Sequence, residues 1–475
     1  MEGRSASRHA PPHSWQPPPS LDDVTSPQQQ VSIRYSYYNA ALWGLGNGLI
    51  SSTLVIYLAK ELGAETVVLG VAFILAVPQF VGLLRLAAPA MIDRFARRKQ
   101  FCIGSYISSA LVLFTLPLLA APGFLSTPAV SLVALVLIWS LYHLLEYLGT
   151  VALWSWLADL VPRELRGEFI GIRQRWLLSG GITGMLSAGG FSFWWKERVV
   201  GTEVSLIGKI PAEPWVGYAL LAALGAAILL LAVWPLARMA EVEERSQPPQ
   251  QPGWQALLAP LADSRYWRLL AFGCALSFFN GLTQSIQFTY PAMVLGLSLL
   301  AMLSLRSTMR LGQVAISPQM GRLADRFGNR PVMIVCQLVV ATGPAFYLLA
   351  TPGAPWWVAG AWLAWIAYAG LNVCLPNLMI KLATPERRAA YIATYFAITG
   401  LAYGLSTIAG GWIVKSYADL TWHPFGSATV WDIHDTMFLI GWLGRTASVL
   451  LLFWIIEPGA KSWRRLFGSR SDAES

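Results

Sequence analysis

One charged ten-residue stretch separates two long apolar runs in the second half of the chain. It reads Gly321-Arg322-Leu323-Ala324-Asp325-Arg326-Phe327-Gly328-Asn329-Arg330. A related stretch, Pro89-Ala90-Met91-Ile92-Asp93-Arg94-Phe95-Ala96-Arg97-Arg98, interrupts an apolar run nearer the N-terminus. In both stretches an Arg follows the Asp directly, and another Arg stands five residues after it. This repetition predicts a duplicated membrane protein, an organisation typical of transporters.

The composition places the chain in a lipid bilayer. Of its 475 residues, 55% are hydrophobic and only 12% are charged, and the mean hydropathy is +0.51. Soluble proteins carry about 25% charged residues. Roughly 20 apolar residues span the hydrocarbon core as a helix, whereas the alternating strands of a membrane β-barrel are about ten residues long. The long apolar runs therefore predict an all-α membrane protein.

Twelve apolar segments can be delimited, and a polar linker rich in proline and glutamine separates them into six and six. The segments cover residues 35–58, 67–90, 100–121, 129–153, 171–193, 215–236, 267–290, 296–319, 331–350, 356–380, 391–415 and 436–457. The predicted organisation is a disordered N-terminal tail (1–32), a six-helix bundle (33–236), a cytoplasmic linker (237–265), a second six-helix bundle (266–457) and a cytoplasmic tail (458–475).

Lysine and arginine alternate between the loops. The loops on the side of the N-terminus hold 25 of these residues, the opposite loops hold five, and four lie inside apolar segments. Because basic loops stay in the cytoplasm, this asymmetry predicts that both termini are cytoplasmic in a cell membrane, either inner or plasma. The net charge of +9 forms no single basic patch, so nucleic acid is not expected as a partner.

The sequence shows no sign of an enzyme, a cofactor or a metal site. The cysteines, Cys102, Cys274, Cys336 and Cys374, lie in or beside apolar segments and form no Cys-x-x-Cys pair. The sequence contains neither a phosphate-binding loop nor a zinc-protease motif, so ATP is not expected to drive the protein directly.

The twelve segments, the long central linker and the Gly321–Arg330 motif resemble the major facilitator superfamily over about residues 35–457. In this family the stronger copy of the motif usually lies between segments 2 and 3, but here that copy has Pro89 and Ala96 in place of glycines. The resemblance implies two six-helix bundles that rock about a central substrate site. It also implies that charged loops close one side of the site; simple anchoring of basic loops is the alternative. The residues expected to form this gate are Asp93, Arg94, Arg98, Gly321, Asp325, Arg326, Gly328 and Arg330.

Segment 4 carries a charged residue at membrane depth. His143 and Glu146 lie on one helical face, together with Trp139 and Thr150. A carboxyl group in apolar surroundings can bind and release a proton near neutral pH. Glu146 with His143 is therefore a candidate for proton coupling; a structural ion pair with Arg85 or another Arg is the alternative.

Segment 8 carries Arg306, Arg310 and Gln313 on one face. Arg310 precedes Asp325 by roughly 22 Å of helix, near mid-membrane, where a guanidinium suits an anionic or carboxylate-bearing substrate. Its alternative role is a partner for Glu146. Arg445 in segment 12, which the resemblance places on the outside, is expected to snorkel or to form a structural pair.

Polar side chains also follow helical spacing in the segments that the resemblance assigns to the cavity lining. Together with the two residues of segment 8, the candidate lining comprises Trp43, Asn47, Asn280, Gln284, Gln287, Arg310, Gln313, Tyr368 and Asn372. Amides and aromatic rings supply the hydrogen bonds and stacking that a polar solute needs. Hydrogen bonding between helices is the alternative for each residue.

Segment 5 is rich in glycine, which predicts close helix packing; the residues are Gly180, Gly181, Gly184, Gly189 and Gly190. Drug:proton antiporters of the superfamily carry a Gly-Pro-x-x-Gly-Gly string there, and this chain lacks the Gly-Pro. The sequence thus predicts a secondary active transporter that moves a small polar solute by alternating access, with a proton as the expected coupling ion. The alternatives are an exporter of amphipathic compounds and a transporter-derived receptor or assembly factor that does not transport.

Overall fold

The computed structural model describes most of the chain. The described residues are 26–62, 67–84, 98–119, 121, 124–160, 166–200, 213–241, 261, 263–382, 388–424 and 430–457. Most of the 89–98 stretch, most of the central linker and the predicted C-terminal tail lie outside these ranges.

Twelve helical rods follow one another along the described residues, some of them broken into two or three pieces. They are α1 (Pro27–Leu49, then Ser52–Glu61), α2 (Val67–Leu83), α3 (Arg98–Leu119), α4 (Pro128–Leu160), α5 (Arg166–Arg198), α6 (Pro214–Leu231, then Val233–Arg238), α7 (Ser264–Thr289, then a π turn Tyr290–Val294), α8 (Leu299–Phe327), α9 (Asn329–Ala341, then Gly343–Leu349), α10 (Trp357–Ala364, a 3₁₀ turn Trp365–Ala367, then Tyr368–Leu382), α11 (Arg388–Ser416) and α12 (Ile433–Trp454). Helix is the expected form because it satisfies every backbone group inside lipid.

Nine of these rods are long and apolar enough to cross a membrane. The other three are α2, which is shorter, α5, whose uncharged central part is rich in glycine and serine, and α8, which carries arginines within its length. Many large apolar side chains are exposed on the outer surface, as expected where helices face lipid. The prediction of an all-α membrane protein with twelve transmembrane helices in two six-helix bundles is confirmed.

The same helix pairs form in both halves of the molecule. In the first half, α1 packs on α5 and α3 packs on α4 and α6; in the second half, α7 packs on α11 and α9 packs on α10 and α12. The halves meet where α2 packs on α11 and α5 packs on α8, which is again a symmetric pair of contacts. The internal repeat read from the charged loops is thus also a repeat of packing.

The first helix begins earlier than the sequence predicts. The expected tail covers residues 1–32, but α1 starts at Pro27. Ser26 caps it: its hydroxyl accepts the Gln29 N–H at 3.3 Å, and the Gln29 side chain accepts the Ser26 N–H at 2.9 Å. This reciprocal capping box satisfies two backbone donors and fixes the start, so residues 27–32 belong to the helix.

Glycines allow α1 and α5 to touch through their backbones. A Cβ on Gly184 would collide with the Leu45 carbonyl oxygen, and a Cβ on Gly180 would collide with that of Ala41. Gly190, near the other end of α5, has nothing within 4 Å of its Cβ position. Gly189, by contrast, lies close to α8, since its Cβ position is 3.0 Å from the Leu300 Cα, so close packing extends along the stretch apart from Gly190.

Candidate functional site: a cavity between the two halves

A polar cavity lies between the two halves, and it consists of two connected lobes. One has a volume of about 550 Å³ and the other about 710 Å³. Both lobes are lined by Gln79, Gln284, Arg306, Arg310 and Tyr403, which join the space across the boundary between the halves. These sizes are in the range of small-molecule sites.

The first half contributes α1 and α4 to the larger lobe. The Tyr142 hydroxyl donates to Asn47 Oδ1 at 2.7 Å, and Asn47 Nδ2 donates to the Trp43 carbonyl at 3.1 Å. Asn47 is thus held by its own helix and by α4. The His143 ring packs edge-on against the Trp139 ring at 4.5 Å between centroids. These contacts set the orientation of aromatic and amide groups along one wall.

Glu146 lies half-buried on the same wall, one turn from His143. The Thr150 hydroxyl donates to Glu146 Oε1 at 3.1 Å, and it also lies 3.1 Å from the Tyr106 hydroxyl. The carboxylate is therefore the end of a short chain of hydroxyl groups that runs from α3 into the cavity.

The second half contributes amides that are partly held by neighbouring helices. The Tyr368 hydroxyl donates to Asn280 Oδ1 at 3.1 Å, and Gln313 Nε2 donates to the Trp365 carbonyl at 3.0 Å. Gln287 is 5% exposed and donates to Thr283 Oγ1 at 2.9 Å. The alternative of hydrogen bonding between helices therefore fits Gln313, Asn280 and Tyr368, although the Asn280 amide NH₂ group has no hydrogen-bond partner among the described residues.

Two arginines of α8 project into both lobes. Arg306 is half-buried and donates across the boundary to Thr53 Oγ1 at 3.0 Å and to Ser52 Oγ at 3.2 Å. Arg310, one turn further on, is exposed to the open cavity. Within the described part of the chain, Arg310 has no hydrogen bond and no salt bridge, so it is not a partner for Glu146 in this state.

A third arginine stands behind these two. Arg445 of α12 is 1% exposed, lines the smaller lobe and donates to Thr283 Oγ1 at 2.6 Å. The expectation that Arg445 snorkels is wrong, because α12 turns this side chain inward against α7; its pairing is with a hydroxyl rather than with a carboxylate.

The structure places the predicted lining residues along the cavity. The larger lobe holds Trp43 and Asn47, and the smaller lobe holds Asn280, Gln284, Gln287, Arg310, Gln313, Tyr368 and Asn372. Sequence reasoning missed Gln79, Tyr142, Tyr403, Trp362 and Trp365 as lining residues. Gln79 follows Pro78 in α2, and a lone amide in an apolar helix is the signal that could have found it.

The two halves are joined by hydrogen bonds on one side only, as far as the described residues go. The Tyr57 hydroxyl donates to the Leu297 carbonyl at 2.6 Å, and Lys60 Nζ donates to the Ala292 carbonyl at 3.0 Å. With the Arg306 contacts, all hydrogen bonds between the described parts of the halves lie away from the 321–330 motif. We call this the far side, and the side where α8 ends and α9 begins the motif side.

The motif itself is described only in part. Asp93 and Arg94 lie outside the described residues, and so does the side chain of Asp325. Gly328 ends α8 with φ +99° and ψ 161°, a conformation open essentially only to glycine. Gly321 has no described atom within 4 Å of its Cβ position.

Two arginines of the second motif copy, Arg326 and Arg330, make their described contacts within the second half. Arg98 is the first residue of α3. The Arg326 guanidinium lies over the Phe327 ring at 5.1 Å, and Arg330 Nη2 donates to the Phe453 carbonyl at 3.0 Å. Among the described contacts, neither Arg326 nor Arg330 reaches the first half in this state.

An acidic residue that the sequence reading missed organises this turn. Glu457, just past α12, accepts the Asn329 N–H at 3.1 Å and the Arg330 N–H at 2.7 Å, and Lys381 Nζ approaches it at 3.0 Å. Burial alone would raise the pKa of Glu457, but the N–H donors of Arg330 and Asn329 and the Lys381 ammonium outweigh it and lower the pKa below its usual value. The carboxylate thus caps the N-terminus of α9.

Comparison with known families settles the relationship. A family model described as Major Facilitator Superfamily matches residues 38–309 and 304–470. The chain belongs to the major facilitator superfamily. It is accordingly a multi-pass membrane protein of a transporter family, and the resemblance read from the charged loops is confirmed.

Individual relatives are more distant. A 124-residue part of the chain is 30% identical to the multidrug resistance protein MdtH of Photorhabdus laumondii, covering 25% of this chain and 30% of that protein. The match therefore spans less than a third of the relative's length.

Solved structures share the fold along nearly the whole chain. A point mutant of the nucleoside transporter NupG has a TM-score of 0.64 at 14% identity, covering 90% of this chain and 100% of its own. A D-xylose-proton symporter has a TM-score of 0.63 at 16% identity, covering 92% and 100%. At such identities the likeness shows the fold and not the substrate.

Proposed function

We propose that the protein is a secondary active transporter that moves a small polar solute bearing an anionic group by alternating access, with protons as the coupling ion. One observation carries the proposal: the cavity between the halves has a carboxylate, Glu146, on one wall and, on the other, the Arg310 guanidinium, which has no ion pair with any described residue. Charged groups are costly inside a membrane, so their presence in one enclosed space favours a functional use.

The proposed function includes an orientation of the protein in the membrane. The loop charges favour cytoplasmic termini, which would make the motif side cytoplasmic. The hydrogen bonds of Tyr57, Lys60 and Arg306 close the far side, and this supports an inward-facing state. The residues 33–236 and 266–457 would then move as two bodies about the cavity, with the 237–265 linker between them. In the outward-facing state the Asp93 and Asp325 loops would close the motif side.

Glu146 is the proposed coupling residue, with His143 beside it. The hydroxyl chain from Tyr106 through Thr150 ends on the carboxylate, and Glu146 faces the cavity. Protonation there would change the charge that a solute meets on entering. Arg310 is the proposed contact for the anionic group, because a guanidinium offers several donors in a fixed plane.

The test is uptake into proteoliposomes under an imposed pH gradient, screened over labelled polar solutes. We expect wild type to accumulate its solute above equilibrium, and Glu146→Gln to lose this accumulation while keeping counterflow exchange. The control is Glu241→Gln, an exposed carboxylate at the motif-side end of α6, which should behave as wild type. Equal gradient-driven accumulation by Glu146→Gln and wild type would remove the coupling assignment.

A second candidate function follows from the similarity to a multidrug resistance protein: export of amphipathic compounds. If the protein had this function, lipophilic cations would compete with the polar solute for the cavity and would be exported from the cytoplasm. The arginines on the cavity wall disfavour cationic compounds, so we expect neither competition nor expulsion.

A further inference from the structure

We propose that the transported solute is a dianion, such as a dicarboxylate or a phosphate monoester, held by Arg306, Arg310 and Arg445. The inference rests on the proposed function, which requires only one anionic group, and it names the charge class of the substrate. The wall of the cavity that the second half forms carries an excess of positive charge.

Three guanidinium groups line this wall. Arg306 and Arg310 lie one helical turn apart, within electrostatic range of each other, and Arg445 lines the same lobe from α12. No salt bridge between any of them and a carboxylate occurs among the described residues. The two partners recorded for Arg306 and the one for Arg445 are hydroxyl groups, which carry no countercharge.

Arg445 is the strongest sign of an anion-binding site. Its side chain is 1% exposed, and its Nε is buried with no hydrogen-bond partner among the described residues. A buried, unneutralised guanidinium with an unsatisfied donor is energetically costly, so such groups normally pair with an anion. The nearest open space from which an anion could approach is the lobe that Arg445 lines.

Tyr403 connects the three positions. It lines both lobes and lies within electrostatic range of Arg306 and of Arg445. The two negative charges of a dianion placed beside this tyrosine can be shared between Arg445 and the α8 pair, whether they lie on two carboxylates or on one phosphate group. The nearby amides of Asn280 and Gln284 remain available to the uncharged part of the solute.

A charge balance selects the dianion. Three guanidinium groups face a single carboxylate, Glu146, among the described residues that line the cavity. A solute with two negative charges and an ionised Glu146 together neutralise the three cations, whereas a neutral solute leaves two of them uncompensated. Bidentate contact with Arg further favours planar carboxylate and phosphate groups.

The test measures binding to the purified full chain in nanodiscs near pH 8. The probes are succinate and glycerol 3-phosphate as dianions, propionate as a monoanion and D-xylose as a neutral solute, all at equal ionic strength. Tryptophan fluorescence reports binding because Trp362 and Trp365 line the cavity. We expect at least one dianion to bind at least tenfold more tightly than propionate and xylose. The two dianions distinguish dicarboxylate from phosphate recognition.

Variants assign the binding to the arginines. Arg310→Gln should weaken dianion binding about tenfold or more, since it removes charge-assisted hydrogen bonds. Arg445→Lys keeps the positive charge but loses the planar set of guanidinium donors, so it should also weaken dianion binding. If Arg445→Lys does not fold, the result for Arg310→Gln alone tests the proposal. The control, Arg265→Gln, removes an exposed arginine at the start of α7 and should bind as wild type.

Three results would overturn the proposal: no binding of either dianion, propionate or xylose binding as tightly, or unchanged dianion binding by Arg310→Gln. The uptake assay distinguishes a failure of the dianion proposal from a failure of the proposed transport function. Glu146-dependent accumulation of a neutral or monoanionic solute would refute the dianion proposal but would still support proton-coupled transport. Arginine-dependent binding of a dianion, without transport of any solute, would support the dianion site and refute the transport function.

Discussion

The Arg306 guanidinium of α8 donates a 3.0 Å hydrogen bond to the Thr53 hydroxyl of α1, across the boundary between the halves. The same side chain lines both lobes of the cavity. Only Nη1 of Arg306 contacts Thr53 and Ser52, so the Nη2 and Nε donors of the same guanidinium remain for a solute, and one side chain can link the far-side contacts to the contents of the cavity.

Weakening the far-side contacts should expose the cavity from that side. We expect Thr53→Val combined with Tyr57→Phe to remove two hydrogen bonds between the halves and to populate a state open on the far side. The measurement is the labelling rate of Gln284→Cys, inside the cavity, by an impermeant maleimide added from the far side. The rate should rise several-fold over that of the same cysteine in an otherwise unchanged chain. Tyr417→Phe, at an exposed far-side position, is the control, and an unchanged rate in the double variant would contradict the expectation.

The two glycines of the motif should respond in opposite ways to alanine. Gly328→Ala should lower stability by about 1–3 kcal/mol, because its backbone conformation is costly for any residue with a Cβ. Gly321→Ala should leave stability unchanged or raise it by about 0.5–1 kcal/mol, since it lies inside α8 with no described atom within 4 Å of its Cβ position. Thermal unfolding midpoints in detergent measure both, and equal effects would show that the turn is not held as described.

A second pair of glycines tests the contact between α1 and α5. We expect Gly184→Ala to push the helices apart, because the new methyl group would overlap the Leu45 carbonyl oxygen. Expression as a monodisperse protein and the unfolding midpoint should both fall. Gly190→Ala on the same helix meets nothing within 4 Å and should resemble wild type. A normal Gly184→Ala protein would mean that the backbones are not in contact.

Glu457→Gln should loosen the motif turn, and its effect should depend on pH. The pKa of Glu457 is lower in the folded than in the unfolded state. Its ionised carboxylate therefore stabilises the folded state fully above the unfolded pKa of about 4.3, and this stabilisation is lost as the pH falls through the folded pKa. At pH 7 we expect a loss of about 2 kcal/mol, from hydrogen bonds to a charged acceptor. The difference between variant and wild type should shrink as unfolding is followed from pH 7 toward pH 3.

Lys381→Met is the matched control for this effect. The Lys381 side chain is 49% exposed, so removing its contact with Glu457 should cost less than removing the carboxylate that caps α9. A larger loss from Lys381→Met than from Glu457→Gln would indicate an ion pair, and not the cap, as the main contribution.

Several site residues could be predicted because helical spacing is visible in one dimension. Arg306, Arg310 and Gln313 recur at intervals of four and three, which predicts one shared face, and that face lines the cavity. Spacing cannot tell which face a helix turns inward. For this reason the sequence predicts that Arg445 snorkels or pairs, and only its packing against α7 shows that it is buried beside the cavity.

The sequence by itself determined the membrane environment, the twelve helices and the division into two halves, because bilayer thickness and backbone hydrogen bonding leave apolar runs of this length few alternatives. Tertiary structure decided which residues join the described parts of the halves on the far side, that Glu457 holds the turn beginning at Asn329, and that Gln79 and Tyr403 line the same cavity as the arginines. These contacts join residues far apart in the chain, and local propensity carries no information about such partners.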